Sequence, residues 1–339
     1  MPDVSIIIPI YNTEQYLPHC LDSLIRQTLQ DIEIICVDDV STDRSAEIAR
    51  SYAAEDPRVH LYSLPTNSRQ GAARNLGLRM ASAPYIGFVD SDDFVAPDYF
   101  ENLYRAITRH DADIVMTPYA FVDQHGHEIL PRGQKGFFRR RRRESLFERT
   151  LGRDWEDNRV VSAPLQRLKC VRQFMVMNKL YRSVLIKTVQ FPENTRFEDV
   201  PFTMEAVHRA HKICTIPEGG YFYRRHPEST TADTDFRRFT ESVTMLGMTD
   251  SYIAKSCMTT EEAEFCGKIV TETLRYTIRA LIRSNSNLGL NQIIQAKSKV
   301  PPLFFRYFLW RLLRKHLKTA GIATLIVIVV YGVVLWLNR

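Results

Sequence analysis

The feature that most constrains the fold is an alternation of short apolar runs with amphipathic stretches over the first 120 residues. The apolar runs predict four strands, at Val4–Ile10, Ile32–Val37, Val59–Leu64 and Tyr85–Val89. Stretches with helical periodicity separate these strands. Repeated strand–helix units with almost wholly apolar strands are typical of a parallel sheet that helices cover on both faces. The sequence therefore predicts a doubly wound, Rossmann-like α/β domain, and ligands of such domains bind at the carboxyl ends of the strands.

Acidic side chains cluster at the ends of these predicted strands. Asp38–Asp39 closes the second strand, Asp90–Asp93 closes the fourth, and Glu198–Asp199 lies downstream in the segment FEDVPF. Carboxylates crowded at one sheet edge repel one another unless a cation or hydrogen-bond donors compensate. Mg²⁺ and Mn²⁺ usually bind through one or two carboxylates together with substrate phosphates. Since neither a GxxxxGK(S/T) loop nor a GxGxxG fingerprint occurs, a metal that bridges a diphosphate to Asp92 is the simplest account of a nucleotide site.

Three segments follow one another in the order and at the spacing of a known family. They are PIYNTEQYLPHCLDSLIRQT, VDDVSTD and GAARNLGLRMASAPYIGFVDSDD. Their combination resembles the family 2 glycosyltransferases with a GT-A fold, strongly from Val4 to about Tyr119 and more loosely from Phe174 to Thr231. One departure is Val40, where the family usually has glycine. The resemblance implies a metal-dependent, inverting transfer of a sugar from a nucleotide diphosphate to an acceptor hydroxyl.

The resemblance places the donor site at the ends of the first, second and fourth predicted strands. Pro9 and Tyr11 would line the base pocket, with Tyr11 against the uracil. Asp39 would accept a hydrogen bond from the base, which favours a UDP-sugar as donor. Asp90 would hold the ribose, and Asp92 would ligate Mg²⁺ or Mn²⁺ on the diphosphate.

Two arginines are further candidates for this donor site. Arg74, in the segment GAARN, could approach the donor. The stretch Tyr223–His226 together with Ser229 resembles the family's YxYRxxxxS segment, in which a mobile loop would bring an arginine or a histidine onto the diphosphate. Because a guanidinium matches phosphate geometry, Arg225 is the residue predicted to bind the diphosphate.

Asp199 is the candidate general base. The transfer needs a group that takes the proton of the acceptor hydroxyl as its oxygen attacks the anomeric carbon opposite the leaving diphosphate. The FEDVPF segment matches the family's ED motif, whose aspartate has this role, and Glu198 would help to orient the acceptor. Glu198 and Asp199 also suit a helix N-terminus, where acidic side chains oppose the helix dipole.

Other polar residues of the matching segments are interpreted as structural. Asp38 and Asp93 are expected to cap helices or to shape turns. The stretch Asn178–Tyr181, part of NKLYR, is interpreted as mostly structural. His208 and His211 have a spacing found in metal sites, but no third ligand is near them in the sequence, so they are expected on a helix surface.

The C-terminal segment predicts a membrane anchor. From Thr319 to Leu337 no charged residue occurs, and an α-helix of that length spans about 28 Å, close to the thickness of the hydrocarbon core. The preceding segment, Leu303–Lys318, is basic and amphipathic, which suits the anionic cytoplasmic leaflet. Together they predict a single-pass protein of the inner (plasma) membrane with a cytoplasmic catalytic domain. A buried hairpin that closes the soluble core is the alternative.

Charge and cysteine content argue against nucleic-acid binding and for a reducing compartment. The net charge of +6 comes from the run Arg139–Arg143 and from basic residues just before the apolar segment, whereas a nucleic-acid groove needs basic residues spread over the fold. The arginine run could touch anionic lipid or a lipid-diphosphate acceptor, and its role stays open. Six cysteines without CxxC spacing are interpreted as reduced thiols. The N-terminus lacks the basic region of a secretory signal.

The resulting prediction is a glycosyltransferase of capsule, lipopolysaccharide or exopolysaccharide assembly, with a glycan or lipid-linked acceptor. A processive synthase would carry a QxxRW motif, which is absent. A membrane-tethered nucleotide-sugar-binding protein without catalysis is the alternative, against which the intact Asp92 and Asp199 argue. The predicted division is a nucleotide-sugar-binding half at 1–120, an acceptor-binding and catalytic half at 121–232, a helical extension with linker at 233–302, the amphipathic helix at 303–318 and the transmembrane helix at 319–337.

Overall fold

The computed structural model describes residues 1–129, 159–171 and 175–226, with shorter stretches at 247–249, 252–253, 256 and 258–267. Two compact units divide the chain, Met1–Ser229 with Tyr252–Cys266, and Thr230–Ser251 with Gly267–Arg339. Every element defined below belongs to the first unit. The arginine run, Ser229 and the segments predicted to form the amphipathic and transmembrane helices lie outside the described residues, as does most of the segment 233–302. Among the residues that are described, no helix has the length and apolar character needed to cross a membrane.

The strands of the described part form two sheets. They are β1 (Val4–Ile10), β2 (Ile32–Asp38), β3 (Val59–Ser63), β4 (Tyr85–Phe88), β5 (Phe94–Val95), β6 (Ile114–Met116), β7 (Tyr119–Val122), β8 (Arg159–Val161), β9 (Lys179–Arg182), β10 (Ile213–Thr215) and β11 (Tyr221–Arg224). The large sheet has the order β3-β2-β1-β4-β9-β6-β10-β8, and the small sheet has the order β5-β11-β7.

The large sheet is mostly parallel. β3, β2, β1 and β4 run in the same direction, so the four strands predicted from the apolar runs are confirmed as one parallel block. β9 then enters antiparallel between β4 and β6. The predicted α/β fold with a mostly parallel sheet is confirmed, and the antiparallel strand in its middle is contributed by a segment that lies far from its neighbours in the sequence.

Helices follow most strands of this sheet. They are α1 (Leu17–Ile25), α2 (Ser45–Glu55), α3 (Arg69–Met80), α4 (Tyr99–His110), α5 (Pro164–Cys170), α6 (Ser183–Ile186) and α7 (Asp199–Arg209). α1 buries Leu17, Leu21 and Leu24 on the face that their helical spacing predicts. Fully burying a side chain of this size contributes about 1.5–3 kcal/mol to folding, so the amphipathic pattern explains why this segment is a helix that packs on the core.

α3 lies unusually close to its neighbours because two of its positions are glycine. A Cβ atom at Gly77 would collide with the side chain of Ile7 in β1, and one at Gly71 would collide with the carbonyl oxygen of Pro192. The first contact seats α3 on the central strand. The second brings the segment before α7 against α3, and this contact determines where the candidate catalytic residues lie.

Candidate active site

The carboxyl ends of β1 and β2 form the first part of the site. The two strands pair up to Ile10 and Asp38, and the main-chain amide of Asp39 donates to the carbonyl of Ile10 at 2.8 Å. Tyr11 follows β1 and is 46% exposed, so its ring is available to a ligand. Pro9 is buried within β1 opposite Val37, and its predicted place in the base pocket stays a prediction.

Asp39 is buried and held by the start of α3. Its two carboxylate oxygens accept hydrogen bonds from the main-chain amides of Ser68 and Arg69, each at 2.7 Å. Burial raises the pKa of Asp39, and the two amides oppose that rise. A carboxylate has about four acceptor positions, so Asp39 keeps the capacity to accept a further N–H beside Tyr11. Asp38, by contrast, accepts the amide of Ser41 and shapes the turn after β2.

The turn Asp90–Asp93 follows β4 and is joined to β11. Asp93 is buried, and its carboxylate accepts the Tyr221 hydroxyl at 2.7 Å and the Arg224 main-chain amide at 2.8 Å. Loss of hydration raises the pKa of Asp93 well above its usual value, and the charges of Asp92 and Asp90 raise it further. Asp93 therefore has the turn-shaping role that the sequence suggests.

Asp92 faces the end of β11. The imidazole Nε2 of His226 lies 2.9 Å from Asp92 Oδ2, with the two side chains 6% and 25% exposed respectively. His226 Nδ1 is buried and has no hydrogen-bond partner among the described residues. The ring of His226 packs on Tyr16, with centroids 4.6 Å apart. These contacts fix the imidazole beside the carboxylate.

This pair fits a divalent cation. Adjacent ligands of an octahedral ion with bonds of about 2.1 Å lie about 3 Å apart, which matches the separation of His226 Nε2 and Asp92 Oδ2. A carboxylate and an imidazole suit Mn²⁺, since Mn²⁺ accepts both oxygen and nitrogen ligands. No cluster of three or more metal-binding side chains occurs among the described residues, so an ion held by this pair would need further ligands.

Arg74 connects the acidic turn to the ED segment. Its side chain is 3% exposed, and its guanidinium donates to Asp90 Oδ1 at 2.7 Å and to Glu198 Oε1. Arg74, which was predicted to approach the sugar donor, thus contacts Asp90 and also binds Glu198. A buried arginine with two carboxylate partners is a strong geometric constraint, so the residue proposed to bind ribose and the residue before the candidate base are fixed relative to each other.

Asp199 is the first residue of α7. Loss of hydration raises the pKa of Asp199 to about 7, the charges of Glu198 and Asp90 act in the same direction, and Arg74 opposes them. Phe202, in the same helix, stacks its ring on that of Phe191 with centroids 3.7 Å apart. A carboxylate with a pKa near the working pH is suited to accept a proton from a substrate.

The segment before α7 is held by α3. The Asn75 side chain donates to the carbonyl of Phe191 and accepts from its amide, each at 2.9 Å. The close approach of Gly71 to Pro192 completes this contact. The GAARN segment was interpreted only as a source of Arg74; its glycine, arginine and asparagine together position the ED segment, which the sequence reasoning missed.

Lys179 is a second cation near the candidate base. It is 2% exposed, and its ammonium donates to Met175 O at 2.5 Å and to Asn178 Oδ1 at 2.7 Å. Burial lowers the pKa of Lys179 to about 7, and the charge of Asp199 opposes this shift. The NKLYR stretch was interpreted as mostly structural, yet it places an ionisable group within electrostatic range of Asp199.

Arg224 contacts the acidic turn, whereas the role predicted for Arg225, binding of the diphosphate, stays a prediction. The Arg224 Nε donates to the main-chain carbonyl of Asp92 at 2.7 Å. Arg225 is exposed, and its guanidinium lies over the Phe121 ring at 3.8 Å from the centroid. Neighbouring residues at a strand end point to opposite faces, so only one of the two can face the turn. That alternation was the signal available in the sequence.

Comparison with known proteins identifies the family of this chain. Residues 5–162 match the family model described as glycosyl transferase family 2. The chain is 37% identical over 241 residues to the uncharacterized glycosyltransferase EpsJ of Bacillus subtilis, an alignment that covers 68% of this chain and 63% of EpsJ. It is 32% identical over 228 residues to the glycosyltransferase GlyG of Streptococcus pneumoniae, with 67% of this chain and 72% of GlyG covered. The chain thus spans less than two thirds of EpsJ.

A solved structure has the same fold. The crystal structure of residues 1–349 of Staphylococcus aureus TarS in complex with UDP-GlcNAc superposes with a TM-score of 0.60 at 20% identity. The match covers 93% of this chain and 81% of that structure. A likeness at this identity concerns the fold alone, and it identifies the sheet and its helices as a GT-A-like domain.

Proposed function

This chain belongs to glycosyl transferase family 2, and from that premise we propose that it transfers a sugar from a nucleotide diphosphate, a UDP-sugar, to an acceptor hydroxyl in cell-surface polysaccharide or glycolipid synthesis. The observation that carries the proposal is Asp199, a carboxylate whose pKa is raised to about 7. It lies next to Glu198, which Arg74 joins to the Asp90 side chain. Candidate base and candidate donor site are therefore parts of one connected arrangement.

The proposed reaction is a single displacement. The acceptor oxygen forms a bond to the anomeric carbon, the bond from that carbon to the diphosphate oxygen breaks, and the acceptor proton passes to an Asp199 carboxylate oxygen. Attack opposite the leaving group inverts the anomeric centre. Glu198 cannot easily share this role, since its carboxylate is already paired with Arg74, so it orients the base and the donor-side residues.

Asp92 and His226 would hold Mn²⁺ or Mg²⁺, with Mn²⁺ the better match for the imidazole. The ion would offset the negative charge that develops on the leaving diphosphate. The chain's own contribution is to keep one carboxylate and one imidazole 2.9 Å apart on two segments that the small sheet joins.

The base of the donor would bind between Tyr11 and Asp39. Tyr11 offers an exposed ring at the end of β1, and Asp39 offers a carboxylate already oriented by two amides. A carboxylate that can accept a hydrogen bond from an N–H group in this position favours uracil as the base. The UDP-GlcNAc complex of the TarS structure supports a uridine nucleotide, and the hexose itself stays open.

The test is a screen of UDP-sugars with purified protein and Mn²⁺, in which release of UDP is measured with and without the metal. We expect one or a few donors to be hydrolysed slowly, because water can replace the acceptor. Tight binding of UDP-sugars without any hydrolysis or transfer would instead favour a nucleotide-sugar-binding protein without catalysis.

We also propose attachment to the cytoplasmic face of the plasma membrane through the apolar segment Thr319–Leu337 behind the basic segment Leu303–Lys318. Truncation after Pro302 should release protein that still hydrolyses the donor. Recovery of the full-length chain in the soluble fraction at low salt would contradict a transmembrane helix. Release by high salt or carbonate would indicate a helix that lies on the surface.

A further inference from the structure

Arg224 contacts three separate segments of the part of the chain that the structure describes. Its Nε donates to Asp92 O at 2.7 Å, one terminal nitrogen donates to Gln124 O at 2.8 Å, and the other lies 3.0 Å from His19 Nδ1. The side chain is also buried, at 3% exposure for the residue. Three directions of contact from one group require the planar fork of a guanidinium.

Two aromatic rings fix the plane of this guanidinium. It lies 5.1 Å from the Tyr16 ring centroid and 5.2 Å from that of Phe94. The Tyr16 ring also packs against His226. The arginine and the imidazole therefore share one supporting side chain.

Arg224 binds a main-chain carbonyl of the acidic turn and leaves the Asp92 carboxylate facing His226. An arginine beside an aspartate ordinarily pairs with the carboxylate, because that contact is the stronger one. Here the guanidinium takes the carbonyl of Asp92, and the Arg224 amide takes the carboxylate of Asp93. The Asp92 carboxylate is left facing His226, two residues farther along the chain.

His19 completes the contact only in its neutral form. A protonated imidazole has two N–H donors and no acceptor, and burial together with the Arg224 charge lowers the pKa of His19. The neutral ring can accept from the guanidinium through Nδ1. It also stacks on Phe94 with centroids 4.2 Å apart.

We propose that Arg224 is a positioning residue for the metal site: it fixes the turn that carries Asp92 against the strand end that carries His226. This inference rests on the proposed metal pair and goes beyond it, since Arg224 is not one of the two proposed ligands. Residues that orient metal ligands typically contribute 10- to 100-fold to metal affinity.

The experiment measures Mn²⁺ binding directly, in the presence of UDP, from the electron paramagnetic resonance signal of free Mn²⁺. Arg224→Lys keeps the charge but loses the planar fork, and we expect its affinity for Mn²⁺ to fall about 10- to 100-fold. Binding of UDP without metal should stay unchanged. His19→Leu removes the Nδ1 acceptor of one Arg224 nitrogen, so we expect a smaller loss in the same direction and a folded protein.

Arg167→Lys is the matched control. Arg167 is also buried and donates to the main-chain carbonyl of Ser162, but it lies on α5 and contacts no site residue. It should bind Mn²⁺ like the wild type even where its melting temperature falls. Wild-type affinity for Mn²⁺ in a folded Arg224→Lys protein would overturn the role of Arg224 but not the metal pair. If Arg224→Lys does not fold, wild-type affinity in His19→Leu would have the same meaning. Absence of Mn²⁺ binding by the wild type would overturn the metal pair and this role together.

Discussion

Asp39 and Asp199 are two carboxylates of one site with opposite surroundings. Burial raises the pKa of both. Two main-chain amides, at 2.7 Å each, oppose the rise at Asp39, whereas the charges of Glu198 and Asp90 add to it at Asp199. Fixed donors favour the ionised form of a carboxylate, and like charges favour its protonated form. The difference supports the proposal that Asp39 binds the donor and that Asp199 accepts the proton.

The largest effect should come from removing the proton acceptor. Asp199→Asn keeps the size of the side chain but cannot take a proton, so we expect the transfer rate to fall by about 10² to 10⁴. Affinity for UDP, measured by calorimetry, should stay nearly unchanged. In the wild type, kcat/KM should fall as the pH drops below about 7, where Asp199 becomes protonated.

The outcome that breaks the assignment is near-normal transfer by Asp199→Asn. The proton would then go to another group, and Glu198 would become the first candidate. Glu198→Gln is the informative companion, because it removes the charge that pairs with Arg74 and that raises the pKa of Asp199.

Asp39→Asn should have the reverse pattern. An asparagine presents one carbonyl oxygen and one NH₂ group, so it cannot serve the two amides of Ser68 and Arg69 and a ligand N–H together. Loss of a hydrogen bond to a charged group costs about 1.5–3 kcal/mol, which predicts UDP binding weaker by about 10- to 100-fold in calorimetry. The rate at saturating donor should change little. Unchanged UDP affinity would show that the base binds elsewhere.

The two carboxylates should also differ in their effect on stability. The pKa of Asp199 is about 7 in the folded protein and about 3.9 in an unfolded chain. A raised folded pKa stabilises the fold below pH about 4, and this contribution is lost as the pH rises to about 7. Asp199→Asn should therefore be more stable than the wild type at pH 8, by on the order of 1–3 kcal/mol, with little difference at pH 4. Urea unfolding at both pH values checks this, and equal stability at pH 8 would show that Asp199 ionises without cost.

Lys179 sharpens the comparison because it adds a cation on the Asp199 side alone. The charge of Asp199 raises the pKa of Lys179, and such coupling is reciprocal. Charged Lys179 must therefore lower the pKa of Asp199. Lys179→Met should move the acidic limb of kcat/KM to higher pH, whereas Lys179→Arg should leave it in place or move it lower.

A lysine remote from the site provides the control. The Lys187 ammonium also donates to a main-chain carbonyl, that of Ala81 at 2.7 Å, and Lys187→Met should leave the pH profile unchanged. An acidic limb that stays in place in Lys179→Met would mean that the lysine only supports the strand.

The donor side of the site could be predicted from the sequence, and most of the catalytic side could not. Periodic apolar runs encode the parallel strands locally, so the turns that carry Asp39 and Asp90–Asp93 follow from them. Arg74 and Glu198, by contrast, meet although they are 124 residues apart. That contact depends on α3, a glycine and a strand inserted antiparallel into the sheet, none of which has a local signal. Asp199 was predicted by its motif, but its surroundings were not.

The smallest effect tests the local side of the comparison at Val40, which follows Asp39 directly. Its φ is 60°, in the left-handed region that costs a residue with a Cβ roughly 1–2 kcal/mol and that glycine adopts without strain. The side chain gains little from packing, since Val40 is 41% exposed. Glycine loses more chain entropy on folding, by about 0.5–1 kcal/mol, so Val40→Gly should raise the free energy of unfolding by about 0.5–1 kcal/mol.

Val40→Ala retains the Cβ and should gain less, which separates the effect of φ from that of side-chain size. UDP affinity should stay the same in both variants, because the amides that hold Asp39 belong to Ser68 and Arg69. If Val40→Gly lowers stability in urea unfolding, the isopropyl group makes a packing contribution larger than the strain, and the turn after β2 is not set by backbone conformation alone.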